Sequence, residues 1–524
     1  MSASALAIGG FCLRAARLRD CPGATNGRSE PALDKAPSAA VAFRVHETAP
    51  SRAAPRPTFR VVGGRLGVPL LDASCSHRNS LEIPLTTITI VGAGGFEFPL
   101  TLGADFLSFE SMRDAHLVLM DIDPLTLART ERHLRRVVDA HGLPARITAT
   151  TDRRAALTGA DIVVVCFQVG GVDAYALDIE IPRRYGIDQT VGDTLGPGGI
   201  LRGLRSMHAL EPITRDMREV CPGALLLQYA NPMSMNCWYT SGQGVRTVGL
   251  CHSVQHTADF LASVMGAAPG EWSFQAAGIN HQSWLLEYRL NGRDVTDDLR
   301  TAVREYARGE RDATEEVDDW YGGGREQVRT AIMDLTGHFP TESSHHNSEY
   351  LPFFRRTPAE TLSYIANRWD YLEQCRETHG SAELQQLADE LSTGELETSE
   401  EYAAQIVDSI ITGTPRVIYG NVPNTGLITN LPDGCCVEVA CLVDSNGVQP
   451  TYFGDLPAAC AGVNLGSIAV QACVVEAYRT RSRDAVHAAL GLDKLTSATL
   501  SLGDVHRLAD ELLAAEAEWL PAFT

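Results

Sequence analysis

One cysteine and two histidines have the types and spacing to do chemistry. Cys251 and His252 follow the short apolar run ValGlyLeu, and His281 closes AlaGlyIleAsnHis (277–281). Both tips are predicted to lie at one sheet edge, where the three side chains can converge. One thiolate plus one imidazole is too few for a structural zinc site, which is closed by four protein ligands. The pair suits a divalent ion whose other positions are filled by substrate oxygens and water. Taken singly, a lone cysteine is ordinary core filler and a lone histidine a satisfied polar group. Two more polar segments stand at predicted strand ends. GlyAspThrLeuGlyProGlyGlyIleLeuArg (192–202) is too glycine-rich to be packing material, and AsnProMetSerMetAsn (231–236) directly follows an apolar run.

A second kind of site opens the folded part of the chain. ThrThrIleThrIleVal runs into Gly92, Gly94 and Gly95, where backbone N–H groups and a helix N-terminus can hold a pyrophosphate. Glu97 stands where a complete GxGxxG has its third glycine, so on these residues a generic tight turn explains the pattern equally well. The acids ending the next apolar run favour the dinucleotide. Asp121 or Asp123 lies where a carboxylate accepts from ribose hydroxyls and disfavours a 2′-phosphate, so NAD is expected over NADP. Their spacing from Gly94 exceeds the usual roughly 20 residues and leaves the choice between them open.

The elements that must position these residues read as alternating strands and helices. Candidate strand segments at 86–98, 115–123, 147–152, 161–167 and 224–232 are separated by helical spacers, the longest at 125–142, closed by Gly142 and Pro144. Continuous Val/Ile/Leu runs alternating with helices predict βαβ units and a parallel sheet buried on both faces. The expected fold is α/β, a Rossmann-type doubly wound parallel sheet followed by an α+β C-terminal domain. The expected boundaries are a disordered extension over 1–83, a dinucleotide-binding domain over 84–275 and a substrate and oligomerisation domain over 276–524.

Composition excludes other classes. Lys plus Arg total 44 against 65 Asp plus Glu, a net charge of −21, which argues against a phosphate-backbone binder, so no nucleic-acid partner is expected. Residues 1–80 carry eleven Lys/Arg against five Asp/Glu, so the other 444 residues carry −27. That leading segment is rich in Ala, Arg, Pro and Ser, the composition of an unfolded tail; Asp20, Glu30 and Asp34 spoil a transit-peptide pattern, and no secretory core is evident. No apolar run is expected to approach the roughly 18 residues that cross a bilayer, so no membrane association is expected. Thirteen scattered cysteines without framework spacing read as reduced thiols in a cytoplasmic protein.

With these residues in place, the chain resembles the family 4 glycoside hydrolases, and within them the α-galactosidases (melibiases). The resemblance rests on MetAspIleAspPro (120–124), AspThrLeuGlyProGlyGlyIle (193–200), AsnProMetSerMetAsn (231–236), GlyLeuCysHisSerValGln (249–255) and AlaGlyIleAsnHis (277–281). It continues through PheProThrGluSerSer (339–344), AsnValProAsnThrGlyLeuIle (421–428), the segment 435–451 and TrpLeuPro (519–521), in order from about 84 to the end. It implies a lactate/malate dehydrogenase-like fold, a homodimer or homotetramer, and hydrolysis of α-galactosides with NAD and Mn²⁺. In that chemistry NAD⁺ oxidises the sugar at C3, a base removes the acidified C2 proton, the aglycone leaves, water adds, and C3 is reduced again. Carried over by motif, Cys251 and His281 are the metal ligands and His252 is the acid assisting aglycone departure. Asn231 and Asp193 bind the substrate, and Gly92, Gly94, Gly95, Asp121 and Asp123 the cofactor. Thiolate ligation requires a reduced cysteine, in agreement with the scattered thiols.

The C2 base has no match, because the segment 328–337 lacks a Tyr or Glu where the family places one; Tyr321 and Asp334 are the nearby candidates. His256 replaces a usually small residue, and His345 replaces an acid. The alternatives are an α-glucosidase or α-uronide hydrolase of the same family, the latter with Arg202 to receive a carboxylate. Outside it stand a plain NAD-dependent dehydrogenase and a sugar- or NAD-sensing protein without activity.

Overall fold

The computed structural model describes residues 86–524 apart from 96–97, 315–322 and 379–381. The expected disordered extension and Tyr321 lie outside the described residues. Among the described residues, thirteen strands form one sheet. In chain order they are β1 (Thr87–Val91), β2 (His116–Met120), β3 (Arg146–Thr150), β4 (Ile162–Val165), β5 (Leu225–Gln228) and β6 (Thr247–Leu250). Then come β7 (Trp272–Ile279), β8 (Gln282–Leu290), β9 (Arg293–Asp294), β10 (Phe339–Pro340), β11 (Arg416–Pro423), β12 (Cys436–Asp444) and β13 (Gly447–Pro450).

The first six are parallel in the order β3-β2-β1-β4-β5-β6, the doubly wound arrangement expected from alternating apolar runs and helices. Alternation along each strand feeds two cores. Ile88, Ile90, Ile162 and Val164 join the cluster that holds Leu100, Phe106 and Leu134. Val91, Val163 and Val165 join the one that holds Ile200, Leu204 and Val474. The sheet then reverses direction: β11 pairs antiparallel with β6 through Gly420 opposite Leu250 and Asn421 opposite Gly249. β12 joins β11 to β7, so the expected boundary at 275/276 falls inside a strand of the same sheet, at a register shift in the β7–β8 pairing.

Local chemistry explains the element ends. Asp123 caps the helix Pro124–His141, accepting from Leu125 N at 3.0 Å, and Gly142 ends it at φ 61°. Gly92 has φ 94°, and a Cβ there would fall 2.8 Å from Phe167, so the first turn demands glycine. One expectation is corrected. The helix Ala458–Thr480 is long and apolar enough to cross a membrane by length and composition, although no run was expected to approach that length. Its Asn464, Ser467 and Gln471 break the apolar pattern in sequence, but all three are buried, and Asn464 accepts from Trp284 Nε1 at 3.0 Å. Half of its most apolar window is buried, with Ile468 in one core and Val474 in the other.

A charged cluster ties a late segment to the helix Gly196–Val220. Arg205 is fully buried, donates to both Asp178 oxygens at 2.9 and 2.6 Å, and also bonds Glu516. Burial and the neighbouring Asp178 push the Glu516 carboxyl well above its ordinary range, and the Arg205 guanidinium opposes that rise. Removing the cation strands the carboxylates. Arg205→Met is expected to cost about 3–5 kcal/mol, read as a lower denaturant midpoint; an unchanged midpoint would remove this cluster from the stabilising interactions.

Candidate functional site

The carboxyl ends of β1, β2, β4, β5 and β6 open into a cavity of about 860 Å³. Its lining includes all the residues expected for cofactor, metal, acid and substrate: Gly92, Gly94, Gly95, Asp121, Asp123, Asp193, Asn231, Cys251, His252 and His281.

At one end stands the glycine turn. Asp121 lies just past β2 and accepts from Gly94 N at 2.8 Å through one oxygen and from Asp123 N at 3.0 Å through the other. A Cβ at Gly94 would lie 2.4 Å from Thr126 Oγ1, which explains how the turn approaches the helix so closely. Asp123 is engaged in capping that helix, with its carboxyl held below the ordinary value chiefly by the Leu125 N–H. Of the two acids left open by spacing, Asp121 is therefore the one whose carboxylate is held against the glycine turn.

At the other end, Cys251 and His281 come together. Cys251 follows β6, and His281 sits in the tight β7–β8 turn; both are buried. Glu342 joins them: its carboxylate, the Cys251 Sγ and a His281 ring nitrogen lie within 4.8 Å of one another, a group that could hold a metal ion. Asp193, His281 and His346 form a second such group sharing His281. The His281 Nδ1 is 2.8 Å from Thr194 Oγ1, which orients the ring and leaves Nε2 facing Glu342 at 3.8 Å. Burial pushes the Cys251 thiol up to about 12, so a thiolate forms here only with a cation's charge beside it. Sulfur, nitrogen and carboxylate donors in one buried group fit a divalent transition metal.

Asp193 and Asn231 flank this group. Asn231 Nδ2 donates to Asp193 Oδ2 at 2.7 Å, and Asn231 Oδ1 is a buried acceptor with no hydrogen-bond partner among the described residues. Burial opposes ionisation of Asp193, but the charges of His346, His281 and Arg202 outweigh it and hold the carboxyl below its ordinary value. The loop carrying Asp193 is fixed from behind. The buried Glu349 carboxylate accepts from Thr190 N at 2.7 Å and from Val191 N and Gly192 N at 2.9 Å each. Behind His281, Glu438 accepts from Ser283 Oγ at 2.5 Å and Asn421 Nδ2 at 2.9 Å, tying β8, β11 and β12 together.

His252 lines the cavity beside Cys251, with Nδ1 3.3 Å from Glu401 Oε1. Burial disfavours its charged form, but the Glu401 hydrogen bond and the neighbouring negative charges raise it to about 9.

Sequence reasoning missed Glu342, His346 and Glu401. Glu342 was legible only as a member of the ThrGluSerSer segment. Asp334 does not join the site: it pairs with Arg304 at 2.7 Å and is half exposed. His345 bonds the Trp369 backbone N–H at 3.0 Å rather than a metal-group residue. Arg202 lines the cavity, donates to Asn231 O at 3.3 Å, and its Nη1 is buried without a hydrogen-bond partner among the described residues.

Comparison with known proteins accounts for both halves. The family model "Family 4 glycosyl hydrolase" matches residues 87–267, and "Family 4 glycosyl hydrolase C-terminal domain" matches 276–496. An α-galactosidase of Rhizobium meliloti (strain 1021) is 39% identical over 83% of this chain and 89% of its own length. One from Bacillus subtilis (strain 168) is 36% identical over 83% of this chain and 99% of its own. A 6-phospho-alpha-glucosidase from gut microorganisms, solved in complex with NAD and Mn²⁺, superimposes with a TM-score of 0.71 at 18% identity, covering 84% of this chain and all of its own.

The donor set generates a direct expectation. Thr194→Val, which removes the hydroxyl orienting His281, is expected to weaken Mn²⁺ binding about 10- to 100-fold while leaving NAD⁺ binding intact. Titration of Mn²⁺ followed by its electron paramagnetic resonance signal reads the first and NADH fluorescence the second; equal Mn²⁺ affinity in both proteins would sink the orienting role.

Proposed function

The chain belongs to family 4 of the glycosyl hydrolases, and from that premise we propose that it is an α-galactosidase hydrolysing melibiose-like α-galactosides with NAD⁺ and Mn²⁺. The observation that carries the proposal is the single cavity in which the glycine turn and the Cys251–His281–Glu342 donor group face Asp193 and Asn231. Supporting the substrate class is the 39% identity to the Rhizobium meliloti α-galactosidase over most of both chains.

NAD⁺ supplies reversible hydride acceptance at the sugar C3, and Mn²⁺ supplies Lewis-acid polarisation of the sugar oxygens. Gly92, Gly94 and Gly95 would hold the pyrophosphate against the first helix, and Asp121 would accept from the ribose hydroxyls. Cys251, His281 and Glu342 would hold the ion. Asn231 and Asp193 would bind sugar hydroxyls, the free Asn231 Oδ1 accepting one. His252 would hold the proton that the departing glycosidic oxygen takes as the C1–O bond breaks. The two family segments support a division into cofactor and substrate halves near 275. A homodimer or homotetramer in the cytoplasm completes the proposal, in keeping with the ten free cysteines among the described residues.

The test uses p-nitrophenyl α-galactoside with and without NAD⁺, Mn²⁺ and reductant, following nitrophenolate and NADH together. Nitrophenolate release that needs both additions, with no accumulation of NADH, is expected. Net NADH production would identify a dehydrogenase instead, and no release from this substrate would overturn the α-galactosidase.

A further inference from the structure

A segment far from the cofactor and metal residues reaches the site at His252. His252 immediately precedes the helix Ser253–Met265, and Glu401 immediately precedes the helix Tyr402–Thr412; they are 149 residues apart in sequence. Their side chains meet with Nδ1 3.3 Å from Oε1, and Glu401 is only 7% exposed. The segment carrying Glu401 is held at several points. Ser399 donates to the Asp105 carboxyl through N at 2.8 Å and through Oγ at 2.5 Å, and the Ser399 Oγ accepts from Glu401 N at 3.2 Å. Thr398 and Ser108 share a hydroxyl contact at 2.8 Å. Asp105 and Ser108 belong to the helix Phe98–Ser108, just beyond the glycine turn. On the other side, Glu400 bonds His256, whose ring lies 4.5 Å from that of His252. Glu401 itself does not line the cavity, so its carboxylate acts on the site through the His252 ring.

We propose that Glu401 is a positioning residue for proton delivery to the leaving group: it accepts the Nδ1–H of His252 and so aims Nε2 into the cavity. This rests on the assignment of His252 as the acid. In the step, the electron pair left at C2 by loss of its proton forms the C1=C2 bond, the C1–O bond breaks with its pair passing to the glycosidic oxygen, and the Nε2–H bond breaks as its proton goes to that oxygen. The neutral ring keeps its Nδ1–H on Glu401. A carboxylate that orients an imidazole by its Nδ1 recurs wherever one tautomer must be enforced. The pair therefore matters most for a leaving group that needs the proton, such as the sugar alkoxide of melibiose, and least for p-nitrophenolate.

That difference is the test. Full-length protein with NAD⁺ and Mn²⁺ is assayed on melibiose and on p-nitrophenyl α-galactoside, as wild type, Glu401→Gln, Glu401→Asp, His252→Ala and the double variant His252→Ala/Glu401→Gln. Glu401→Gln is expected to lower kcat on melibiose by about 10- to 100-fold, with little change on the aryl substrate and KM preserved. Glu401→Asp should recover part of the loss, and the double variant should be no worse than His252→Ala, since the two act as one unit. Equal losses on both substrates, or none on melibiose, would overturn the positioning role. Selective loss in His252→Ala with unselective loss in Glu401→Gln would overturn it while leaving the acid assignment standing. If His252→Ala is itself unselective, both fall.

Discussion

A buried carboxylate ringed by backbone N–H groups is the constraint on which the site depends. Glu349, with three consecutive amides of residues 190–192 pointing at it, converts a loop too glycine-rich to hold itself into a fixed shelf. Its partners are main-chain donors, so the loop's path is set and not merely one side chain's orientation. From that shelf Asp193 takes the amide of Asn231, and Thr194 takes the ring of His281. Asp193, Asn231 and His281 are thus registered to one another by a carboxylate that does not itself line the cavity.

The sheet imposes the complementary constraint from below. Cys251 follows a parallel strand and His281 lies in an antiparallel turn, and only the reversal at β6–β11 sets the two kinds of strand side by side. Glu438, on β12, stands beside this junction, bonded to Asn421 on the neighbouring β11 and to Ser283 on β8, two strands away on the other side. Its burial raises its carboxyl above the ordinary value, while the Ser283 and Asn421 hydrogen bonds oppose that rise. The metal end of the cavity is therefore built where two strand directions meet, and the cofactor end where they do not.

Much of this was legible in the amino-acid order. Apolar runs marked the parallel strands because burial on both faces leaves no polar alternation to blur them. Asp123, Pro124 and Gly142 marked their helix because caps are local chemistry. The glycine turn, Cys251, His252, His281, Asn231 and Asp193 were legible because each stands at a strand end or in a loop too polar to pack. Glu342, His346 and Glu401 were not, for a common reason. Their partners lie tens to hundreds of residues away, and a hydrogen bond across such a separation leaves no periodic trace. The helix Ala458–Thr480 misled in the opposite direction: its interior Asn464 and Gln471 look like interruptions of an apolar run until their buried neighbours are known.

The Arg205 cluster also bears on how the chain is made. Arg205 emerges 311 residues before Glu516, the carboxylate that bonds it in the finished core. At the usual pace of synthesis, about 5–20 residues per second, that interval is roughly 15 to 60 s. Throughout it the helix bearing Arg205 has only Asp178 to offset a guanidinium destined for full burial. Trp519, which packs over Gly170 on the cavity wall, arrives later still. Every other lining residue of the cavity lies between Val91 and Cys375, so the wall beside Gly170 is completed by a residue synthesised well after the rest.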